Sequence, residues 1–401
     1  MSEFLQFVLT LIIILLAAKI AGYLTTRIGQ PSVLGELIVG VILGPSLFNI
    51  THQAYISDAH LLEHTVTVMG EMGVLLLMFL AGLELHLSEL KRNVRVSALA
   101  GVMGVIIPTG LGWVTGLFFG MQEPVAIYLG LTMGATSVSI SAQTLMELKV
   151  LRSRVGLGLL GAAVFDDIMV ILLLSIFLAV VSGGQGIFDI LLVFIRMLTF
   201  LAGSAAFGLW ALPYLMKRIS RLSITQGTLT LSIIILLVYA LAAELWGGMA
   251  AITGTFIAGL MLGRTPEKSR FESGLHALTY GLFAPIFFVS IGLSINLRDL
   301  NIEVLWLLLA VVVVAVLGKI FGAGLGARLA GFSNFESLQL GLGMISRGEV
   351  GLIVASLGVK QGLVSSDEFS AIVGMVLITT LLTPPLLRSV FPAVESQAQV
   401  S

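Results

Sequence analysis

The chain has 401 residues, 57% hydrophobic and only 11% charged, with a mean hydropathy of +1.08. Soluble domains carry about 25% charged residues, so an ordinary soluble fold is excluded and a polytopic membrane protein is indicated. A formal charge of -1 gives no basis for a nucleic-acid partner, and the absence of cysteine removes disulfides, thiolate metal sites and cysteine nucleophiles.

A helix needs about 20 apolar residues to cross the hydrocarbon core. Breaking the chain wherever charge, Gly or Pro interrupts such runs predicts thirteen spans: 4-26, 31-50, 65-86, 95-119, 124-147, 154-182, 187-216, 223-243, 246-263, 276-296, 302-329, 335-361 and 367-391. The first lacks a basic n-region and an Ala-x-Ala site, so it reads as a permanent span. The connectors are short and the last span ends ten residues before the terminus, so one transmembrane transport unit over 1-401 with no soluble regulatory domain is expected.

Lys and Arg accumulate in cytoplasmic loops. Connectors after odd-numbered spans hold 15 basic residues, and those after even-numbered spans hold only Arg298 and Lys360. This predicts an outside N-terminus and a cytoplasmic C-terminus, and it supports an odd number of spans. Four basic residues stay inside spans: Lys19, Arg196, Lys319 and Arg347. Lys19 is near a span end and is read as snorkelling, whereas Arg196 has no evident partner.

The chain also repeats. Gly35-Glu36-Leu37-Ile38-Val39-Gly40 matches Gly254-Thr255-Phe256-Ile257-Ala258-Gly259 at an offset of 219 residues, and Gly82-Leu83-Glu84-Leu85 matches Gly292-Leu293-Ser294-Ile295 at 210. Seven spans separate equivalent positions, so the copies (1-182 and 223-391, linked by the helix at 187-216) have opposite orientation. That is the inverted-repeat plan of secondary transporters, which bind ions at mid-membrane where helices are broken. Thr132-Met133-Gly134-Ala135-Thr136-Ser137 in the fifth span and Met344-Ile345-Ser346-Arg347-Gly348-Glu349 in the twelfth are polar, glycine-bearing and 211 residues apart, predicting two crossing broken helices. In the latter, Arg347 and Glu349 are read as pinning the break.

Asp166 and Asp167 stand in the apolar run Ala162-Ala163-Val164-Phe165-Asp166-Asp167-Ile168-Met169-Val170. A carboxylate at membrane depth costs about 2.5–3.5 kcal/mol on insertion scales. Two together cannot both ionise cheaply, so the pair exchanges protons readily and suits a proton or a hard cation held by oxygens. About 100° apart around a helix, the two side chains project in different directions. Lys319, deep in the eleventh span, is the buried cation that one of them is expected to meet. Five scattered histidines without a His-Glu-x-x-His pattern give no zinc site, and no cofactor is called for. Adjacent aspartates on one helix argue against an intramembrane aspartyl protease, and paired broken helices favour a carrier over a channel.

Pro31-Ser32-Val33-Leu34-Gly35-Glu36, Phe79-Leu80-Ala81-Gly82-Leu83-Glu84-Leu85, Ala135-Thr136-Ser137-Val138, Asp166-Asp167, Gly318-Lys319 and Arg347-Gly348-Glu349-Val350-Gly351-Leu352-Ile353, taken together and in order, resemble the bacterial monovalent cation:proton antiporter-2 family, close to its sodium/proton exchangers. The resemblance covers essentially the whole chain. It implies an all-α elevator-type antiporter in the inner membrane, a homodimer with a dimerisation domain and a moving core, exchanging Na+ (or Li+) for H+. It implies that Asp167 is the principal ion- and proton-binding carboxylate, that Asp166 pairs with Lys319 when the ion is absent, and that Thr136 and Ser137 sit beside the ion. Members with Asp-Asp here are electrogenic, which implies two protons for one sodium. Potassium/proton exchange, as in Kef-type relatives that have a cytoplasmic domain, is the alternative.

Overall fold

In a lipid interior every backbone N–H and C=O has to be met within the protein, so apolar runs of this length fold as helices. The computed structural model agrees in class. It describes residues 2–53, 56–85, 93–181, 187–222, 224–293, 302–348, 351, 354–355, 358–359 and 362–391. In chain order the described helices are α1 (Glu3–Arg27), α2 (Ser32–Leu43), α3 (Ala59–Leu83), α4 (Val94–Phe118), α5 (Glu123–Gly134), α6 (Val138–Glu147), α7 (Arg154–Val181), α8 (Ile187–Ile219), α9 (Gly227–Ala242), α10 (Ala251–Leu262), α11 (Lys268–Leu278), α12 (Ala284–Leu293), α13 (Ile302–Leu329), α14 (Asn334–Gly343) and α15 (Ser366–Val390). A π-type turn at Ala243–Gly247 extends α9, and another at Thr279–Phe283 joins α11 to α12 without a break.

Ten helical stretches are long and apolar enough to cross a membrane, which makes this a multi-pass membrane protein. Two of the predicted spans, 31-50 and 246-263, fold instead as helices of twelve residues, α2 and α10. Both are glycine-rich, and close packing rather than length defines them. Gly259 of α10 lies so near α3 that a Cβ there would meet the Phe79 carbonyl oxygen, and Gly82 of α3 likewise faces that of Phe256. Small residues let helix backbones approach in this way, and van der Waals contact then holds them.

Helix starts near the polar ends carry their own caps. Asp58 accepts from Leu61 N at 2.9 Å at the head of α3, and Ser333–Glu336 and Ser365–Glu368 form reciprocal capping boxes on α14 and α15. The connectors holding basic residues reach one another: Arg388 Nε donates to Gly29 O at 3.1 Å, Arg154 Nη2 to Gly331 O at 3.3 Å and Arg270 Nη1 to Ser220 O at 3.3 Å.

The helices sort into two packed groups. α1, α2, α3 and α8 to α12 pack chiefly on one another, and α4 to α7 with α13 to α15 form the other group, with sparser contact between them through α2, α3, α6, α7, α8 and α15. Large apolar side chains stay exposed on α1 and α8, such as Phe4 and Trp210, as suits surfaces that face lipid or another chain.

Candidate functional site

The site lies in the second group, where two helices stop short. α5 ends at Gly134 and the chain resumes as α6 at Val138, while α14 ends at Gly343 and the described residues 344–348 are non-helical. Each break leaves orphan backbone groups that water cannot meet at this depth, and the two breaks meet them for each other. Ser137 N donates to Ser346 O at 2.9 Å, Ser346 Oγ to Ser137 O at 2.5 Å, and Ser141 Oγ to Gly343 O at 2.5 Å. The chains touch so closely that a Cβ on Gly348 would stand 2.6 Å from Ser137 Cβ, so only glycine fits there.

Two buried cations finish the crossing. Arg347 donates to the carbonyls of Met344 (3.1 Å) and Ile345 (2.7 Å) in its own break, of Met133 (2.7 Å) at the end of α5, and of Ala315 (3.3 Å) on α13. Lys319 donates to Gly134 O at 2.8 Å, the next carbonyl at that end. A helix C-terminus carries partial negative charge, so cations aimed at these carbonyls stabilise both half-helices. The sequence reading gave Arg347 the right place, and the pinning runs through backbone carbonyls. Glu349, its expected companion, lies outside the described residues.

Lys319 also reaches α7. Its Nζ stands 2.6 Å from Asp166 Oδ1, both side chains being fully buried, and the Thr136 hydroxyl lies beside the same carboxylate. Asp167, one residue on, faces a different way: Thr253 Oγ1 of α10 donates to its Oδ2 at 2.5 Å. With Met78, Val138, Ile252 and Phe256, Asp167 and Thr253 line a small cavity between the two groups. The rotation between successive residues thus sends one aspartate inward to the lysine and the other to the seam. Asp166, Asp167, Lys319 and Arg347 together balance to zero charge in a site that excludes water.

Of the residues singled out from sequence, Asp166, Lys319 and Thr136 come together, Asp167 sits alongside at the seam, and Ser137 is engaged in the crossing, its hydroxyl 3.1 Å from that of Ser139. Thr253 had no signal in the sequence, being one threonine among many in apolar helices. Arg196, without an evident partner in the sequence, donates to Leu245 O (2.8 Å) and Trp246 O (3.1 Å) at the frayed end of α9. Lys19 turns to Tyr280 O at 2.8 Å, a carbonyl in the π-type turn before α12.

Comparison with known proteins gives the same picture at the level of the whole chain. Residues 12–391 match the family model described as "Sodium/hydrogen exchanger, transmembrane". The chain is 40% identical over 396 residues to the Na(+)/H(+)-K(+) antiporter GerN of Bacillus cereus, covering 99% of each. It is 34% identical to a Na(+)/H(+) antiporter of Enterococcus hirae, covering 96% of this chain and 98% of that one. Its fold is similar to the solved structure of the sodium proton antiporter MjNhaP1 of Methanocaldococcus jannaschii at pH 8, with a TM-score of 0.68, 18% identity and 96% of each chain covered.

Proposed function

Because the chain belongs to the sodium/hydrogen exchanger family, we propose that it is a secondary transporter, not an enzyme, that exchanges Na+ or Li+ for H+ by alternating access. The observation that carries this reading is the placement of Asp167: a buried carboxylate on the packed crossing, turned to the seam with the other helix group. There a proton and a sodium ion compete for one carboxylate, as hard cations and protons both seek carboxylate oxygen. With neither bound, the Thr253 hydroxyl serves Asp167 and Lys319 serves Asp166. An arriving sodium displaces the hydroxyl and takes Asp167 with further oxygens from the break, for which Thr136 and Ser137 are the nearest candidates.

Two carboxylates and Lys319 give the site room for a second proton, so the proposed ratio is two protons per sodium and the exchange is electrogenic. The group made of α4 to α7 and α13 to α15 is the moving core of an elevator, and the other group is the frame through which a homodimer forms. The division into thirteen spans, with inverted repeats at 1-182 and 223-391 in a single transport unit, belongs to this proposal. So does an inner-membrane location with N-terminus outside and C-terminus in the cytoplasm. The mutual contacts of the basic connectors support one positively charged end. Potassium/proton exchange is the second reading, favoured by the printed activity of the Bacillus cereus relative.

The test is proton flux in proteoliposomes on addition of sodium, lithium or potassium, with and without a clamped membrane potential. Sodium and lithium are expected to drive proton movement whose equilibrium shifts with the potential. Response to potassium alone would replace the substrate, and indifference to the potential would replace the ratio. Within the same assay Thr253→Val is expected to lower the apparent KM for sodium by about tenfold. The ion no longer displaces a hydrogen bond to a charged group worth about 1.5 kcal/mol or more. A raised KM would make Thr253 a ligand of the bound ion instead.

A further inference from the structure

A second acidic site lies away from the crossing. Between α1, α2 and the α11–α12 helix of one group and α6 of the other is a cavity of about 420 Å³, bordered by the carboxylates of Glu36, Glu84 and Glu147 and by Lys19, His276 and Tyr280. Three carboxylates face one lysine, whose ammonium is taken up by the Tyr280 carbonyl. Glu147 is committed: Oε2 accepts from Ser32 N at 2.6 Å, and Oε1 from Ser32 Oγ at 2.7 Å and Gln143 Nε2 at 3.0 Å. Glu36 is not. It is 6% exposed, it borders the cavity, and among the described residues it has neither a hydrogen bond nor an ion pair.

A carboxylate buried to that degree is costly unless a counter-ion or hydrogen bonds join it. The acidic groups are too dispersed to chelate one bare ion, since no three His, Asp or Glu side chains converge among the described residues. At about 30 Å³ per water the cavity has room for roughly 14 waters, so an ion can keep most of its hydration shell there.

We propose that this cavity is a second binding station for the transported monovalent cation, with Glu36 as its principal carboxylate and Glu147 beside it. The proposal rests on the cation-exchange reading above and adds a site that reading does not contain. Glu147 belongs to the group carrying the crossing, and Ser32 and Glu36 to the other, so an ion held here sits on the seam that relative motion has to open.

The experiment separates the station from the crossing by removing the latter's carboxylate. Purified Asp167→Asn protein is titrated with sodium chloride against choline chloride at equal ionic strength, following thermal unfolding. Saturable stabilisation by sodium is expected to persist in Asp167→Asn and to vanish in Asp167→Asn/Glu36→Gln. If Asp167→Asn alone abolishes every sodium-specific effect, or if the double variant responds as Asp167→Asn does, the station does not exist. Should the double variant not fold, Glu36→Gln alone carries the test: its sodium stabilisation is expected to show one saturating phase where the native protein shows two, and two phases overturn the proposal. A failure of the sodium reading looks different, because Asp167→Asn then saturates with potassium and the Glu36 comparison made with that ion decides the station.

Discussion

Asp167→Asn is expected to reduce sodium-dependent proton movement in proteoliposomes to the level of empty vesicles while leaving a protein that purifies folded. Asparagine has nearly the shape of aspartate, and its carbonyl still accepts the Thr253 hydroxyl that Asp167 Oδ2 now receives at 2.5 Å. What it lacks is the charge that attracts a cation and the oxygen that takes a proton. The same change removes a buried charge that lies near the seam, so no large loss of stability follows. Transport and folding therefore part company at this residue, and proton flux on sodium addition, read beside a thermal unfolding curve, checks both. Flux retained at a substantial fraction of the native rate would remove Asp167 from the role given to it.

Lys319→Ala is expected to act in the opposite way, chiefly on stability. The lysine is wholly buried, 2.6 Å from Asp166 Oδ1 and 2.8 Å from Gly134 O. Removing one partner of a buried pair leaves the other uncompensated, at a cost of about 3–5 kcal/mol. Here the α5 end also loses the donor to its last carbonyl. Adding Asp166→Asn takes away the stranded charge, so the double variant is expected to be more stable than Lys319→Ala alone, which a cycle of unfolding measurements in detergent checks. A double variant at least as destabilised as the sum of the two singles would mean that the pair is not energetically coupled.

These residues were legible in sequence for a physical reason. Charge is so costly within a bilayer that Asp166, Asp167, Lys319 and Arg347 stand out from runs of Val, Leu and Ile, and polar glycine-bearing interruptions announce exposed backbone in the same way. Thr253 was not legible, because a threonine in an apolar helix ordinarily bonds back to its own backbone, as Thr132 does to Leu129 O and Thr144 to Ile140 O. Nothing in the sequence distinguishes the one hydroxyl that reaches across the seam. Arg347 was placed correctly, yet its bonds to carbonyls of three different helical segments could not be read, since backbone acceptors carry no sequence signature. The sorting of helices into two groups was equally hidden, because glycine patterns such as Gly82 and Gly259 declare close approach without saying to which neighbour.

The guanidinium of Arg347 is shared among the ends of both broken helices and the body of α13. One rigid fork therefore sets the relative position of three segments, and none of them can slide or rewind alone without stranding a buried donor. The crossing has lost the local degrees of freedom that an unwound stretch would otherwise have. An ion bound beside it has no soft hinge to exploit, and it travels only if the whole block is displaced as one piece.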